Sequence, residues 1–158
     1  MSGDNRQSGA APMLWHYTVV ERLNQILADG LLRPAAMGAL KGVKPVVWFT
    51  TNQDWEPTAN RLWQSPTGSW TRLGKDQTIV LFGGLARIGV APSVAPIDWK
   101  AYKDQSGIPP KAANTIYNEA VSVGGRPGNW FATFEPVPRS LWLAVEVWES
   151  EQWIGRAF

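Results

Sequence analysis

The chain has no cysteine. That absence removes thiolate nucleophiles, disulfide frameworks and cysteine-ligated zinc or iron–sulfur centres, and it fits a reducing compartment. Histidine is nearly as scarce: His16 is the only one in 158 residues, so no multi-histidine metal site can form. No apolar run approaches the roughly 20 residues that a transmembrane helix requires. Residues 1–12 are small and polar, lack the apolar stretch of a secretory signal, and read as a flexible tail ahead of one domain over 13–158. These absences point to a cytoplasmic protein with no membrane partner. A large charge excess is lacking too: 15 basic residues face 13 acidic ones, for a net charge of +2. No long lysine or arginine cluster appears, so extended non-specific binding to nucleic acid has little support from the chain as a whole.

Tryptophan is what the chain has in excess, with 10 copies. Some fill the core. The rest suit a groove or an interface, where a flat apolar face with one N–H donor is useful. The clearest local signal is Leu14-Trp15-His16-Tyr17-Thr18, a strand that runs straight into an amphipathic segment ending at Asp29. Val19, Leu23, Ile26 and Leu27 recur at helical spacing, Thr18 and Glu21 fit a capping box, and Gly30 supplies the stop. Val46 to Thr51 reads as a second strand from its β-branched and aromatic content. Glu56-Pro57 opens a short helix through Trp63, and Thr78 to Val90 reads as one strand or as two broken at Gly83-Gly84. Short helices are expected at Trp99–Lys103 and Thr115–Ala120. A glycine-rich loop follows, then a strand over Asn129–Glu135 and a final strand over Leu141–Trp148. Strands outnumber secure helices and crowd toward the end, which predicts an α+β fold with mostly antiparallel pairing.

A strand ending His16-Tyr17-Thr18, a helix, and a strand ending Trp48-Phe49-Thr50 resemble the NAD-binding half of the ADP-ribosyltransferase fold. The resemblance rests on the first third of the chain. It implies split, mostly antiparallel sheets with flanking helices, with NAD bound as substrate. It implies that His16 hydrogen-bonds a ribose hydroxyl, a task suited to a neutral imidazole with one donor and one acceptor. The backbone at Tyr17 and Thr18 would line the same pocket, although the hydroxyl of Thr18 is accounted for by capping. Trp48 or Phe49 would stack on nicotinamide, with Thr50 packed beneath it. Among nearby cations Arg33, Lys41 and Lys44 would meet the pyrophosphate, with Arg126 in the glycine loop.

Active members of that fold place a glutamate at the start of the strand that follows a loop. Here that position holds Asn129 or Trp130. Three other carboxylates compete for the role: Glu135 at the far end of the strand, Glu146 within the last strand, and Glu119 before the loop. Two functional readings therefore stand. In one, the chain transfers ADP-ribose from NAD to a protein or nucleic-acid target. In the other it is an inactive nucleotide- or protein-binding module, such as a tryptophan-rich inhibitor or toxin in bacterial or phage conflict. Gly83-Gly84 lacks phosphate-loop spacing and no G-x-S-x-G elbow exists, which sets nucleotide P-loops and serine hydrolases aside.

Overall fold

The computed structural model describes residues 12–35 and 41–158. The tail expected over 1–12 therefore lies outside the described residues except for Pro12, as does the middle of the loop read at 35–45. The opening strand forms as β1 (Leu14–Val19), and α1 (Val20–Asp29) follows without a connecting loop. Leu23 and Ile26 carry the buried stripe of α1. Gly30 ends it in the left-handed conformation at φ 66°, its N–H donating to the Ile26 carbonyl at 2.8 Å.

The capping box does not form. Val19 is the N-cap and no side chain caps the helix. Thr18 stays in the strand, paired with Ala86, and its buried hydroxyl accepts from Arg61 Nη2 at 3.3 Å. Strand pairing holds the backbone through Val19, so the hydroxyl of Thr18 is carried away from the helix end. The N–H of Val20 is satisfied instead by the Gly84 carbonyl at 3.0 Å.

The chain continues through β2 (Leu31–Leu32) and β3 (Val47–Thr50), then β4 (Leu62–Gln64), β5 (Trp70–Arg72), α2 (Lys75–Phe82) and β6 (Leu85–Val90). After these come β7 (Ile97–Asp98), α3 (Trp99–Gln105), α4 (Pro110–Ser122) and β8 (Trp130–Thr133), and the chain closes with β9 (Val137–Pro138), β10 (Trp142–Glu149) and β11 (Gln152–Gly155). Three expectations are corrected. The helix read from Glu56 shrinks to one 3₁₀ turn, Pro57–Ala59, before the chain extends into β4. The first half of the Thr78–Val90 run is helical, stopped by Gly83 at φ 77°, so the glycine pair acts as a helix terminator and not as a strand break. The last strand is followed by another, β11, joined to β10 through a two-residue turn at Ser150-Glu151.

Seven strands form one sheet in the order β11-β10-β6-β1-β3-β8-β7, and every neighbouring pair is antiparallel. The short ribbons β2–β9 and β4–β5 stand apart from it. The molecule is thus α+β with antiparallel pairing. One core forms where α1 packs on Leu14, Ile88, Val145 and Phe49, and a second where α3 and α4 cover β3 and β8 around Tyr102, Trp99 and Trp130. Among the described residues no helix is long and apolar enough to cross a membrane.

The sheet is not evenly laced. All six residues of β1 pair with β6, and four pairs join β3 to β8, yet β1 meets β3 only at Trp15↔Thr50. Beyond that pair the ladder lapses. That stretch is where the functional residues collect.

Candidate functional site

Beside the lapsed β1–β3 ladder lies a cleft of about 290 Å³, lined by His16 and Tyr17 of β1 and by Trp48, Phe49 and Thr50 of β3. His16 Nδ1 lies 2.8 Å from the Trp48 carbonyl. A carbonyl only accepts, so Nδ1 carries the proton and Nε2 of the neutral ring is left as an acceptor. The imidazole thereby satisfies a carbonyl in the stretch where the β1–β3 ladder has lapsed. Burial holds the His16 pKa below its ordinary 6.5, opposed by the bond to Trp48 and reinforced by the positive charges of Arg61 and Arg22. The ring is therefore neutral at physiological pH. Its edge meets Phe49 at 5.9 Å between centroids and 64° between planes.

Trp48 and Phe49 alternate on β3, so they serve opposite faces. Phe49 is fully buried in the first core. Trp48 is half-buried and packs edge-on against Tyr102 at 4.7 Å and Trp130 at 5.7 Å. Both residues also contribute to the cleft wall. Tyr17 is anchored from its phenol, which donates to the Asn52 carbonyl at 2.7 Å. Burial pushes its pKa up to about 12, against the lowering effect of Arg87.

The carboxylate that sequence reasoning missed is Glu56. It lines the cleft, is buried, and every neighbour donates to it. Oε2 accepts from Thr50 Oγ1 at 2.9 Å and from Asn52 Nδ2 at 2.7 Å. Oε1 accepts from Thr58 Oγ1 at 2.8 Å and from Trp130 Nε1 at 3.3 Å. One side chain thus binds the end of β3, the loop after it and the start of β8. Asn129, one of the two residues at the position where the resemblance calls for a glutamate, donates to Asn52 Oδ1 at 3.2 Å and so joins the same network. The readable signal is Thr50-x-Asn52-x-x-x-Glu56-x-Thr58, a polar cluster next to the aromatic strand whose Glu-Pro step also has the form of a helix start.

The three carboxylates weighed from sequence separate cleanly. Glu119, on α4, lines the cleft. Glu135 is exposed beyond the end of β8 and does not line it. Glu146 shares a sheet face with Arg87 and Tyr17 but lies outside the cleft lining, its Oε1 meeting Arg87 Nη2 at 2.6 Å. Arg87 is itself clasped between Trp15 at 3.8 Å and Trp153 at 4.4 Å, and it donates to the Tyr17 hydroxyl at 3.2 Å. This charged cluster laces four strands on the face away from α1.

The cations read from sequence also sit elsewhere. Arg33 is exposed and pairs with Asp29 at 3.6 Å. Lys44 lies over the Phe134 ring at 5.7 Å, and Lys41 and Arg126 are exposed; none of these four lines the cleft. Thr18 also lies outside the cleft lining, and the cation that does reach it is Arg72 from β5. Among the described residues no cluster of three histidine, aspartate or glutamate side chains is placed to hold a metal ion.

A flat apolar wall, an imidazole acceptor and a buried carboxylate in one small cleft suit a planar heterocycle carrying polar substituents. Comparison with protein-family models, with curated proteins and with solved structures finds no match to this chain.

Proposed function

We propose that the cleft binds NAD and that the chain is an ADP-ribosyltransferase-like enzyme modifying a macromolecular target. The observation that carries this reading is the meeting of His16, with its tautomer fixed by Trp48, and the Trp48–Thr50 strand around one cleft that also holds Glu56. His16 Nε2 accepts from a ribose hydroxyl, and the aromatic wall receives the nicotinamide ring. The volume is at the low end of the roughly 300–1,000 Å³ typical of ligand pockets, so the nicotinamide riboside end enters and the adenylate lies across the rim. Glu56 supplies fixed negative charge near the carbon that gains oxocarbenium character as nicotinamide departs, a preorganised electrostatic role. Glu119 is the second carboxylate within reach of the same space.

A second reading, nucleotide binding without transfer, draws support from one specific feature: both oxygens of Glu56 are already occupied by donors of the protein. The two readings part in one experiment. Purified protein is incubated with nicotinamide-labelled NAD, and nicotinamide release is followed beside calorimetric titration with NAD and ADP-ribose. A transferase binds NAD and releases nicotinamide, and Glu56→Gln lowers turnover by about 100-fold or more, the scale of losing one preorganised electrostatic group. Glu119→Gln costs far less. Tight binding with no release supports the binding module. Absence of binding by NAD, ADP-ribose and nicotinamide discards both.

A further inference from the structure

Among the described residues the ribbon β4–β5 is the pair of strands whose every residue is exposed. Leu62, Trp63 and Trp70 are 51%, 40% and 65% exposed, so their apolar surface does nothing for the core. A two-stranded ribbon gains little stability alone, and two indoles displayed on one in water call for a partner. Its charge is equally one-sided. Residues 61–75 contain Arg61, Arg72 and Lys75 and no aspartate or glutamate. The modest net charge of the whole chain conceals this local excess. Among the described residues neither Arg61 nor Arg72 meets a carboxylate at ion-pair distance. Arg61 keeps its Nε buried without an acceptor and lies in a shallow depression against α1 that Glu21 and Arg22 also line, the one charge offsetting the other.

Register divides these groups between the two faces of the ribbon. Leu62 pairs with Arg72 and Gln64 with Trp70, so all four share one face of the ribbon, while Trp63 occupies the other beside Thr71. Arg72 lines the cleft, so the face that carries Trp70 leads outward from its mouth. Exposed aromatic platforms beside arginines that lack an ion pair are how proteins hold unpaired nucleic acid: bases stack on the rings and phosphates meet the cations.

We propose that the β4–β5 ribbon binds single-stranded nucleic acid that crosses it from one face to the other, with a base stacked on Trp70 and its phosphate held by Arg72 on the first face, and a base stacked on Trp63 beside Arg61 on the second. An acidic peptide would answer the charge but offers no planar rings to the indoles. The proposal stands whether or not the cleft binds NAD.

The test is fluorescence anisotropy of the full chain with labelled oligothymidine and oligouridine, alongside the matching duplex, over a salt series. The single strands bind and the duplex binds more weakly. The logarithmic salt slope is about −2, as expected for up to three cations on a single strand. The double variant Trp63→Ala, Trp70→Ala stays folded, because neither ring belongs to a core, and loses affinity by about 5- to 150-fold for each base unstacked. Arg72→Gln weakens binding and flattens the salt slope, and is the independent probe should the double variant misfold. Lys103→Ala, on α3, leaves affinity unchanged. No binding at low salt, unchanged affinity in both variants, or equal affinity for duplex overturns the proposal. So does self-association that the double variant abolishes, which would make the occupant a second copy of this chain.

Discussion

Removing the Glu56 carboxylate strands the donors of Thr50, Asn52, Thr58 and Trp130 together. Buried donors without partners are costly, so Glu56→Ala should destabilise the protein by on the order of 3 kcal/mol. The measurement is the urea midpoint, with an unchanged slope showing that the fold itself is retained. His16 provides a second reading at this scale. Its folded pKa lies below the unfolded value of 6.5, with burial as the chief cause. The unfolded chain therefore takes up the proton first as pH falls. Stability is full above 6.5, declines as pH drops below it, and stops declining once the folded-state value is passed. His16→Gln should remove that stretch of pH dependence from the melting temperature. As the only histidine, its imidazole resonances titrate without an assignment problem. Residue identity was legible to this extent: the lone histidine and the aromatic strand announced themselves, and they do meet. Glu56 did not, because a carboxylate at a helix-like Glu-Pro step looks the same whether it caps a turn or ties three segments together. Here it does both, accepting from the Thr58 amide at 3.4 Å as well.

Elements defined by strong local periodicity were readable, and those settled by capping or pairing were not. The α1 stripe of Leu23 and Ile26 with Gly30 behind it placed that helix to within a residue. Thr18 matched a capping pattern, but the pairing of β1 with β6 decides where the helix begins. Ile79-Val80 favoured a strand by composition, yet Gly74 and Gly83 bracket one short helix whose Val80 is left 80% exposed. The same lesson applies to the β10–β11 turn. Ser150 and Glu151 adopt φ 49° and 60°, a pair of left-handed positions that suits Asn-Gly in a tight hairpin. Each such residue without glycine's freedom carries strain of roughly 1–2 kcal/mol. Ser150→Asn with Glu151→Gly should therefore raise stability by about 1 kcal/mol, read as a higher melting temperature with no change in cleft binding. A lower melting temperature would mean the native side chains contribute more than the turn geometry costs them.

At the scale of the molecule, an antiparallel α+β architecture followed from the crowding of strands toward the end of the chain. Strand order did not. Six register pairs on one side of β1 and a single one on the other come from distant pairings that no local window contains. Even the distribution of tryptophan divides at this scale: Trp48, Trp99 and Trp130 build the second core, Trp15 and Trp153 clasp Arg87, and Trp63 and Trp70 face solvent. Composition gave their number and nothing of that division.

The narrow junction at Trp15↔Thr50 makes the sheet a stiff plate notched at its middle. Bending across a fully laced sheet strains many backbone bonds at once, whereas bending at the notch loads one residue pair and the imidazole that bridges His16 to Trp48. The width of the opening is then governed by what presses on the plate from its two sides: Leu23 and Ile26 of α1 on one, Trp99 and Tyr102 of α3 on the other. Tyr102 bears directly on Trp48 of the cleft wall, whereas Ile26 lies in the core under the other side of the sheet, so trimming Tyr102 should alter which ligands enter more than trimming Ile26 does.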